Sequence, residues 1–132
     1  MKILVADDNA AVLKGVSLSI RDMGYEVLEA DNGYGAMRIL EENEVDILLT
    51  DMEMPGMYGD ELIKYVRKLR LPTKTILMSG HPRGKQFAAE CGADAYIQKG
   101  GLMSWSERIV AGVFHLQLLI KLFSCYLRLT KN

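Results

Sequence analysis

The chain has few cysteines, no excess of one charge and no long apolar run. Its two cysteines, Cys91 and Cys125, are too few for a disulfide framework, and neither stands among other metal-ligating residues. The 16 basic and 17 acidic residues give a formal charge of −1, which predicts no broad attraction to nucleic acid. No segment reaches the roughly 18 uncharged apolar residues of a membrane span.

The apolar start of the chain, residues 1–6, is too short for a signal peptide and is followed by no cleavage pattern. The rest of the composition is ordinary for a folded protein, since 49% of the 132 residues are apolar and 25% are charged. A chain of this length builds one domain with a sizeable core. We therefore predict a soluble, cytoplasmic, single-domain protein.

Short apolar runs alternate with longer segments of helical periodicity. The predicted strands cover residues 3–6, 25–30, 46–50, 74–78 and 95–97. The predicted helices cover about 12–23, 34–43, 60–69 and 82–91, with Pro82 in a first turn, and a last helix begins at about 102. Buried strands joined by helical crossovers form a parallel sheet with helices on both faces. The predicted fold is therefore α/β: a doubly wound (βα)5 fold with a five-stranded parallel sheet in the flavodoxin-like order 2-1-3-4-5.

Polar residues follow the first, third, fourth and fifth predicted strands, namely Asp7 and Asp8, Asp51, Ser79, and Lys99. Each has an ordinary structural explanation when taken alone: Asp8 or Asn9, for example, can cap the first helix. The predicted fold indicates a shared role instead, because these four strands are consecutive neighbours in the order 2-1-3-4-5, each about 4.8 Å from the next. Their side chains are then expected to share one pocket at the carboxyl edge of the sheet.

The charges in this pocket predict a metal ion. Three carboxylates bring −3 and Lys99 returns +1, and like charges at such distances repel one another strongly. A hard divalent cation with oxygen ligands restores the balance, and we expect Mg²⁺ in this role. Since Mg²⁺ in such sites also takes a phosphate oxygen, the pattern indicates a phosphoryl group. Asp51, in the middle of the cluster, is the best placed nucleophile.

These residues resemble the receiver domain of two-component response regulators. The likeness covers about residues 1–118 and rests on the ordered set of Asp7-Asp8, Asp51 within LLTDMEMPG, Ser79-Gly80, and Lys99 at the end of YIQK. It implies a phosphoacceptor domain over 1–118, with 119–132 an apolar and basic extension of the last helix. It also implies bacterial two-component signalling, in which a sensor histidine kinase or phosphotransfer protein supplies the phosphoryl group and a downstream protein receives the signal.

The resemblance implies a role for each charged residue of the site. Asp51 accepts the phosphoryl group, and the chain performs only self-directed phosphotransfer and autodephosphorylation. Asp8 and Asp51 bind Mg²⁺ directly, helped by the backbone carbonyl of Glu53, while Asp7 acts through water. Lys99 pairs with the phosphoryl oxygens.

The resemblance also implies a switch. The Ser79 hydroxyl hydrogen-bonds a phosphoryl oxygen, and Tyr96 resembles the aromatic residue that turns inward when the serine is drawn toward the phosphate. Taken alone, Tyr96 is more simply a strand aromatic with its hydroxyl at the surface. The signal would leave through the surface of the fourth helix, fifth strand and fifth helix. Glu53 and His81 occupy the two variable positions that tune the lifetime of the phosphoryl group in the family.

The chain departs from the family pattern after Lys99. The family usually has a proline there, commonly after a cis bond, whereas this chain has Gly100-Gly101. A cis peptide without proline costs about 2.5–4 kcal/mol. We therefore hypothesise that Lys99 is held less firmly and that phosphoryl-dependent switching is weaker.

The last predicted helix carries an unusually long apolar stripe, formed by Ile109, Val113, Leu116, Ile120, Phe123 and Leu127. Residues 108–132 also hold four basic residues and no acidic one. The helix could fold back on its own domain, form a homodimer, or adsorb to an anionic membrane. The homodimer is the preferred specific hypothesis.

Two other functions remain open from the sequence. One is an Asp-nucleophile phosphohydrolase of the haloacid dehalogenase type. Asp51-Met52-Glu53 vaguely resembles the two-carboxylate motif of that family, but the family places its motif on the first strand. A pseudo-receiver would bind partners without being phosphorylated. The complete acidic set argues against it, and the missing proline keeps it open.

Overall fold

A computed structural model describes residues 1–99, which form a five-stranded parallel sheet with helices on both faces. The strands are β1 (Lys2–Ala6), β2 (Glu26–Ala30), β3 (Ile47–Asp51), β4 (Lys74–Ser79) and β5 (Ala95–Gln98). The helices are α1 (Ala10–Asp22), α2 (Gly33–Glu42), α3 (Gly59–Lys68) and α4 (Gly84–Cys91). The strand order is β2-β1-β3-β4-β5. The predicted flavodoxin-like fold is confirmed.

The strands β1, β3 and β4 are buried on both faces, as their near-continuous apolar sequences require. Every residue of β3 is buried, and four of the five residues of β1 are. On one face, α2, α3 and α4 contribute to a core cluster that includes Leu4, Leu48 and Leu77. On the other face, α1 packs against Ile3 and Ile47. Both faces therefore hold the central strands in place.

The register of the strands aligns the polar residues at one edge. Ala6 pairs with Thr50, Asp51 with Met78, and Ser79 with Gln98. Consequently β1, β3, β4 and β5 all end at nearly the same level. Whatever follows each of these strands lies at the carboxyl edge of the sheet.

Local hydrogen bonds decide where two of the helices begin. The side chain of Asn9 accepts from the backbone N–H groups of Ala11 and Val12, so α1 is capped by Asn9 and not by Asp8. The prediction that Pro82 lies in the first turn of the fourth helix is wrong. The Gly84 N–H bonds to the His81 carbonyl oxygen, which closes a turn around Pro82 before α4 begins.

Several predictions concern residues beyond the described part of the chain. These are the last helix from residue 102, its apolar stripe and homodimer or membrane roles, the division at 118/119, and the Gly100-Gly101 loop. Within residues 1–99, no helix combines the length and the apolar character that crossing a membrane requires.

Candidate functional site

Three carboxylates meet at the ends of β1 and β3. Asp7 is completely buried, and its Oδ1 accepts a hydrogen bond of 2.9 Å from the backbone N–H of Asn9. Asp51 is 9% exposed, and its Oδ1 accepts one of 3.0 Å from the N–H of Met52. Asp8 faces solvent. One oxygen from each of the three aspartates lies within 4.8 Å of the other two. The structure thus brings together the acidic cluster predicted from the sequence.

Lys99 reaches this cluster from the end of β5. Its Nζ lies 2.5 Å from Oδ2 of Asp7 and 3.1 Å from Oδ1 of Asp51. Its backbone N–H donates a 2.8 Å hydrogen bond to the carbonyl oxygen of Ser79, which continues the pairing of β4 with β5. The amine is therefore placed by the sheet between two carboxylates.

The site is short of positive charge. Burial raises the pKa of Asp51 from its usual 3.8 to about 6, and the charges of Asp7 and Asp8 add to the rise. Lys99 opposes it, but one amine does not cancel the burial and the two like charges. A cation among these oxygens would favour the ionised form of Asp51.

The donor set fits a hard divalent cation. The three aspartates offer only carboxylate oxygens, within a spacing that one ion can span, and one of the three is open to solvent. Mg²⁺ prefers oxygen ligands, keeps several waters and is usually held by one or two carboxylates. Asp8 and Asp51 could hold such an ion while the exposed side supplies water.

Ser79 ends β4 and is 2% exposed. Its Oγ accepts a 2.9 Å hydrogen bond from the backbone N–H of His81. That bond uses an acceptor lone pair of the hydroxyl, so the hydroxyl hydrogen can still be donated to another group. Ser79 is therefore suited to donate to an anionic oxygen at this edge of the sheet.

Tyr96 on β5 is partly buried. Its hydroxyl donates a 3.0 Å hydrogen bond to the carbonyl oxygen of Ser79, and its ring packs beside the core cluster of α2, α3 and α4. Burial raises the pKa of the Tyr96 phenol. Tyr96 is thus a strand aromatic, as the simpler expectation has it, and its hydroxyl is hydrogen-bonded to the end of β4.

The two predicted lifetime-tuning residues lie on exposed loops beside the site. Glu53 is exposed two residues after Asp51, and His81 is exposed two residues after Ser79. The Nδ1 of His81 accepts a 3.0 Å hydrogen bond from the backbone N–H of Arg83. His81 therefore also shapes the loop that leads into α4.

Three glycines beside the site leave little or no room for a Cβ, and sequence reasoning assigned none of them that role. A Cβ at Gly59 would lie 2.0 Å from the carbonyl oxygen of Asp51, and one at Gly80 would lie 3.0 Å from that of Lys99. Gly84 similarly adjoins Tyr96. The signal available was position: Gly59 and Gly84 are the first residues of α3 and α4, and Gly80 directly follows Ser79 at the end of β4.

The Response regulator receiver domain family model matches residues 3–104. The chain belongs to this family. It is therefore a receiver domain of the kind used in two-component signalling. Receiver domains that resemble the chemotaxis protein CheY are generally not classical enzymes.

Individual relatives agree with that assignment. The chain is 36% identical over 104 residues to the chemotaxis protein CheY of Pseudomonas aeruginosa, covering 75% of this chain and 84% of that protein. It is 30% identical over 105 residues to the sensor histidine kinase GacS of Pseudomonas protegens, covering 74% of this chain but 12% of the kinase. The solved structure of the chemotaxis response regulator CheY4 of Vibrio cholerae superposes with a TM-score of 0.72 at 27% identity. That superposition covers 86% of this chain and 96% of CheY4.

Proposed function

We propose that this receiver accepts a phosphoryl group on Asp51 from a phosphohistidine of a sensor histidine kinase or phosphotransfer protein, with Mg²⁺ bound beside it. The observation that carries the proposal is the cluster of Asp7, Asp8 and Asp51 with the Lys99 amine inserted between two of them. The likeness to chemotaxis proteins and to a part of a sensor histidine kinase supports partners of this class in general.

The geometry supports Asp51 as the nucleophile. Its Oδ1 is held by the Met52 N–H and lies 3.1 Å from the Lys99 Nζ, so the carboxylate cannot rotate freely. When an ionised Asp51 oxygen attacks phosphorus, the O–P bond forms as the N–P bond of the phosphoimidazole breaks. The imidazole nitrogen keeps the electron pair and takes up a proton. Phosphoryl transfer depends mainly on such positioning and on charge stabilisation.

The remaining residues would neutralise and sense the new charge. A bound Mg²⁺ would supply positive charge to the phosphoryl oxygens, and Asp8 and Asp51 would hold it, together with the Glu53 carbonyl. Lys99 would pair with a phosphoryl oxygen, and Ser79 would donate its hydroxyl hydrogen to one. The added charge of about −1.5 to −2 would then act on the surface of α4 and β5.

Incubation with acetyl phosphate and Mg²⁺, followed by intact-mass measurement, tests the proposal. We expect a single adduct with the mass of one phosphoryl group, absent from Asp51→Asn and present in Asp31→Asn. Asp31 is a matched control because it also follows a strand but stands outside the cluster. An adduct that persists in Asp51→Asn would overturn the assignment of Asp51. A folded wild-type chain without any adduct would favour the pseudo-receiver.

No observation favours the phosphohydrolase. Asp51 ends the third strand and not the first, and the family match is to receiver domains. Sustained release of phosphate from many phosphate esters in the same incubation would be needed to bring that alternative back.

A further inference from the structure

Three hydrogen bonds converge on Ser79 at the end of β4. Its carbonyl oxygen accepts from the Tyr96 hydroxyl at 3.0 Å and from the Lys99 N–H at 2.8 Å. Its Oγ accepts from the His81 N–H at 2.9 Å. A displacement of Ser79 would therefore disturb both the phosphoryl-binding lysine and the aromatic ring on β5.

The Tyr96 hydroxyl reaches Ser79 through a gap left by Gly84, the first residue of α4. A Cβ at Gly84 would lie 2.4 Å from Tyr96 Oη, 3.0 Å from Tyr96 Cζ and 2.9 Å from Ser79 Cβ. Real Cβ atoms essentially never approach other heavy atoms closer than 3.0 Å. Any side chain at this position would therefore displace a neighbour.

Space, and not backbone conformation, is what calls for glycine here. Gly84 is buried and helical, whereas the glycines with positive φ within residues 1–99 are Gly24, Gly56 and Gly92. A helix gains from alanine over glycine wherever the site has room. Gly15, inside α1, provides the contrast, because a Cβ there would meet nothing within 4 Å.

The two neighbours of Gly84 differ in how easily they can move. The backbone of Ser79 is held in the sheet by its pairing with Gln98 and its bond to Lys99, so it yields less easily than the end of a side chain. Tyr96 Oη is the far end of a side chain that can rotate about two bonds. A Cβ at Gly84 would therefore act first on Tyr96 and would turn its hydroxyl away from Ser79.

We propose that Gly84 is a positioning residue that admits the Tyr96 hydroxyl to Ser79, and so couples the α4–β5 surface to the phosphoryl site. The coupling rests on the proposed function, in which the Ser79 hydroxyl binds a phosphoryl oxygen. The close approach of Gly84 to Tyr96 and Ser79 is independent of that function. Movement of Ser79 toward Asp51 would shift the acceptor of the tyrosine hydroxyl, and the first turn of α4 lies directly against both.

Urea unfolding of four variants tests the contact. We expect Gly84→Ala to lower the urea midpoint, and Gly15→Ala, the matched control, to leave it unchanged or raise it. In a Tyr96→Val background, Gly84→Ala should lose at least half of its effect, because the ring is no longer in the way. An equal drop in midpoint with and without the tyrosine would overturn the proposal and leave Gly84 a residue that only makes room for Ser79.

Fluorine NMR reports the environment of the Tyr96 ring directly. In protein labelled with 3-fluorotyrosine, the resonance lost in Tyr96→Phe reports this side chain. We expect it to be shifted from free fluorotyrosine in the wild type and in Gly15→Ala, and to move to the position of an exposed tyrosine in Gly84→Ala. An unchanged resonance in folded Gly84→Ala would contradict the proposal.

The phosphoryl site is then probed with beryllofluoride, which imitates a phosphoryl group, in the presence of Mg²⁺. We expect the Tyr96 resonance to respond in the wild type and to lose at least half of that response in Gly84→Ala. A full response in Gly84→Ala would refute the coupling. If the wild type forms no acetyl phosphate adduct, the proposed function fails, while the urea and label measurements still decide the contact.

Discussion

Asp51 is buried and lies beside two other carboxylates, and both features raise the free energy of its ionised form. Its pKa of about 6 lies above the usual 3.8, so the folded protein binds a proton there more tightly than the unfolded chain does. Between these two pKa values the folded state carries more protons, and stability therefore falls as the pH rises. Above pH 6 the full cost of the buried charge is present.

Replacing Asp51 by asparagine should therefore stabilise the protein when divalent cations are absent. We expect Asp51→Asn to raise the free energy of unfolding at pH 7.5 by on the order of 1–3 kcal/mol. The gain should shrink as the pH falls from 6 toward 4, because the wild-type carboxyl is then protonated too. Urea unfolding with a chelator present, at a series of pH values, measures this difference.

The control for that series is the exposed Asp31. Asp31→Asn should change stability by less than about 0.5 kcal/mol at every pH, as is usual for surface substitutions. A gain from Asp51→Asn that is the same at pH 5 and pH 7.5 would show that charge is not its cause.

At the scale of elements, the start of α1 supports the site. Asn9 caps the helix through Ala11 and Val12, and its own backbone N–H donates to the buried Asp7. The same short segment thus ends a strand, holds a carboxylate and begins a helix. Sequence alone left the cap open between Asp8 and Asn9, since both residue types serve equally well.

The cap can be tested by comparing these two neighbours. Asn9→Ala should lower the free energy of unfolding by about 1 kcal/mol, because two N–H groups at the start of α1 lose their acceptor. Asn9→Ser should recover most of the loss. Asp8→Ala should cost nothing when divalent cations are absent, since it removes a like charge from the cluster and no cap. If Asp8→Ala lowered the free energy of unfolding as much as Asn9→Ala does, the assignment of the cap to Asn9 would be wrong.

The strands were predictable because the central ones are short apolar runs, and each predicted strand within the described residues begins and ends within one residue of the observed one. The start of α4 was not, because it depends on His81 and Gly84 closing a turn around Pro82. The strand ends were enough to predict the acidic cluster. They were not enough to predict that Lys99 binds Asp7, or that Gly84 adjoins Tyr96, since both depend on side-chain directions in the folded state.

At the scale of the whole molecule, the sheet order explains why the site lies where it does. The order reverses between β1 and β3, and ligands of such folds bind beyond the carboxyl ends of the strands at that point. Asp7 and Asp8 follow one of these strands, and Asp51 ends the other. Lys99, 92 residues away from Asp7 in the sequence, closes the site from β5. The site therefore forms only when the sheet is complete.

Because the site needs the complete sheet, a cation that binds it should stabilise the entire fold. At pH 7.5 we expect Mg²⁺ to raise the free energy of unfolding by about 2.7 kcal/mol at a concentration one hundred times Kd. The effect should weaken at pH 5, because Asp51, with a pKa of about 6, is then mostly protonated and a proton competes with the metal. Thermal unfolding across a series of Mg²⁺ concentrations measures it. Asp8→Asn and Asp51→Asn should lose most of the stabilisation, while Asp31→Asn should keep it. Equal stabilisation of all three variants would place the cation elsewhere on the surface.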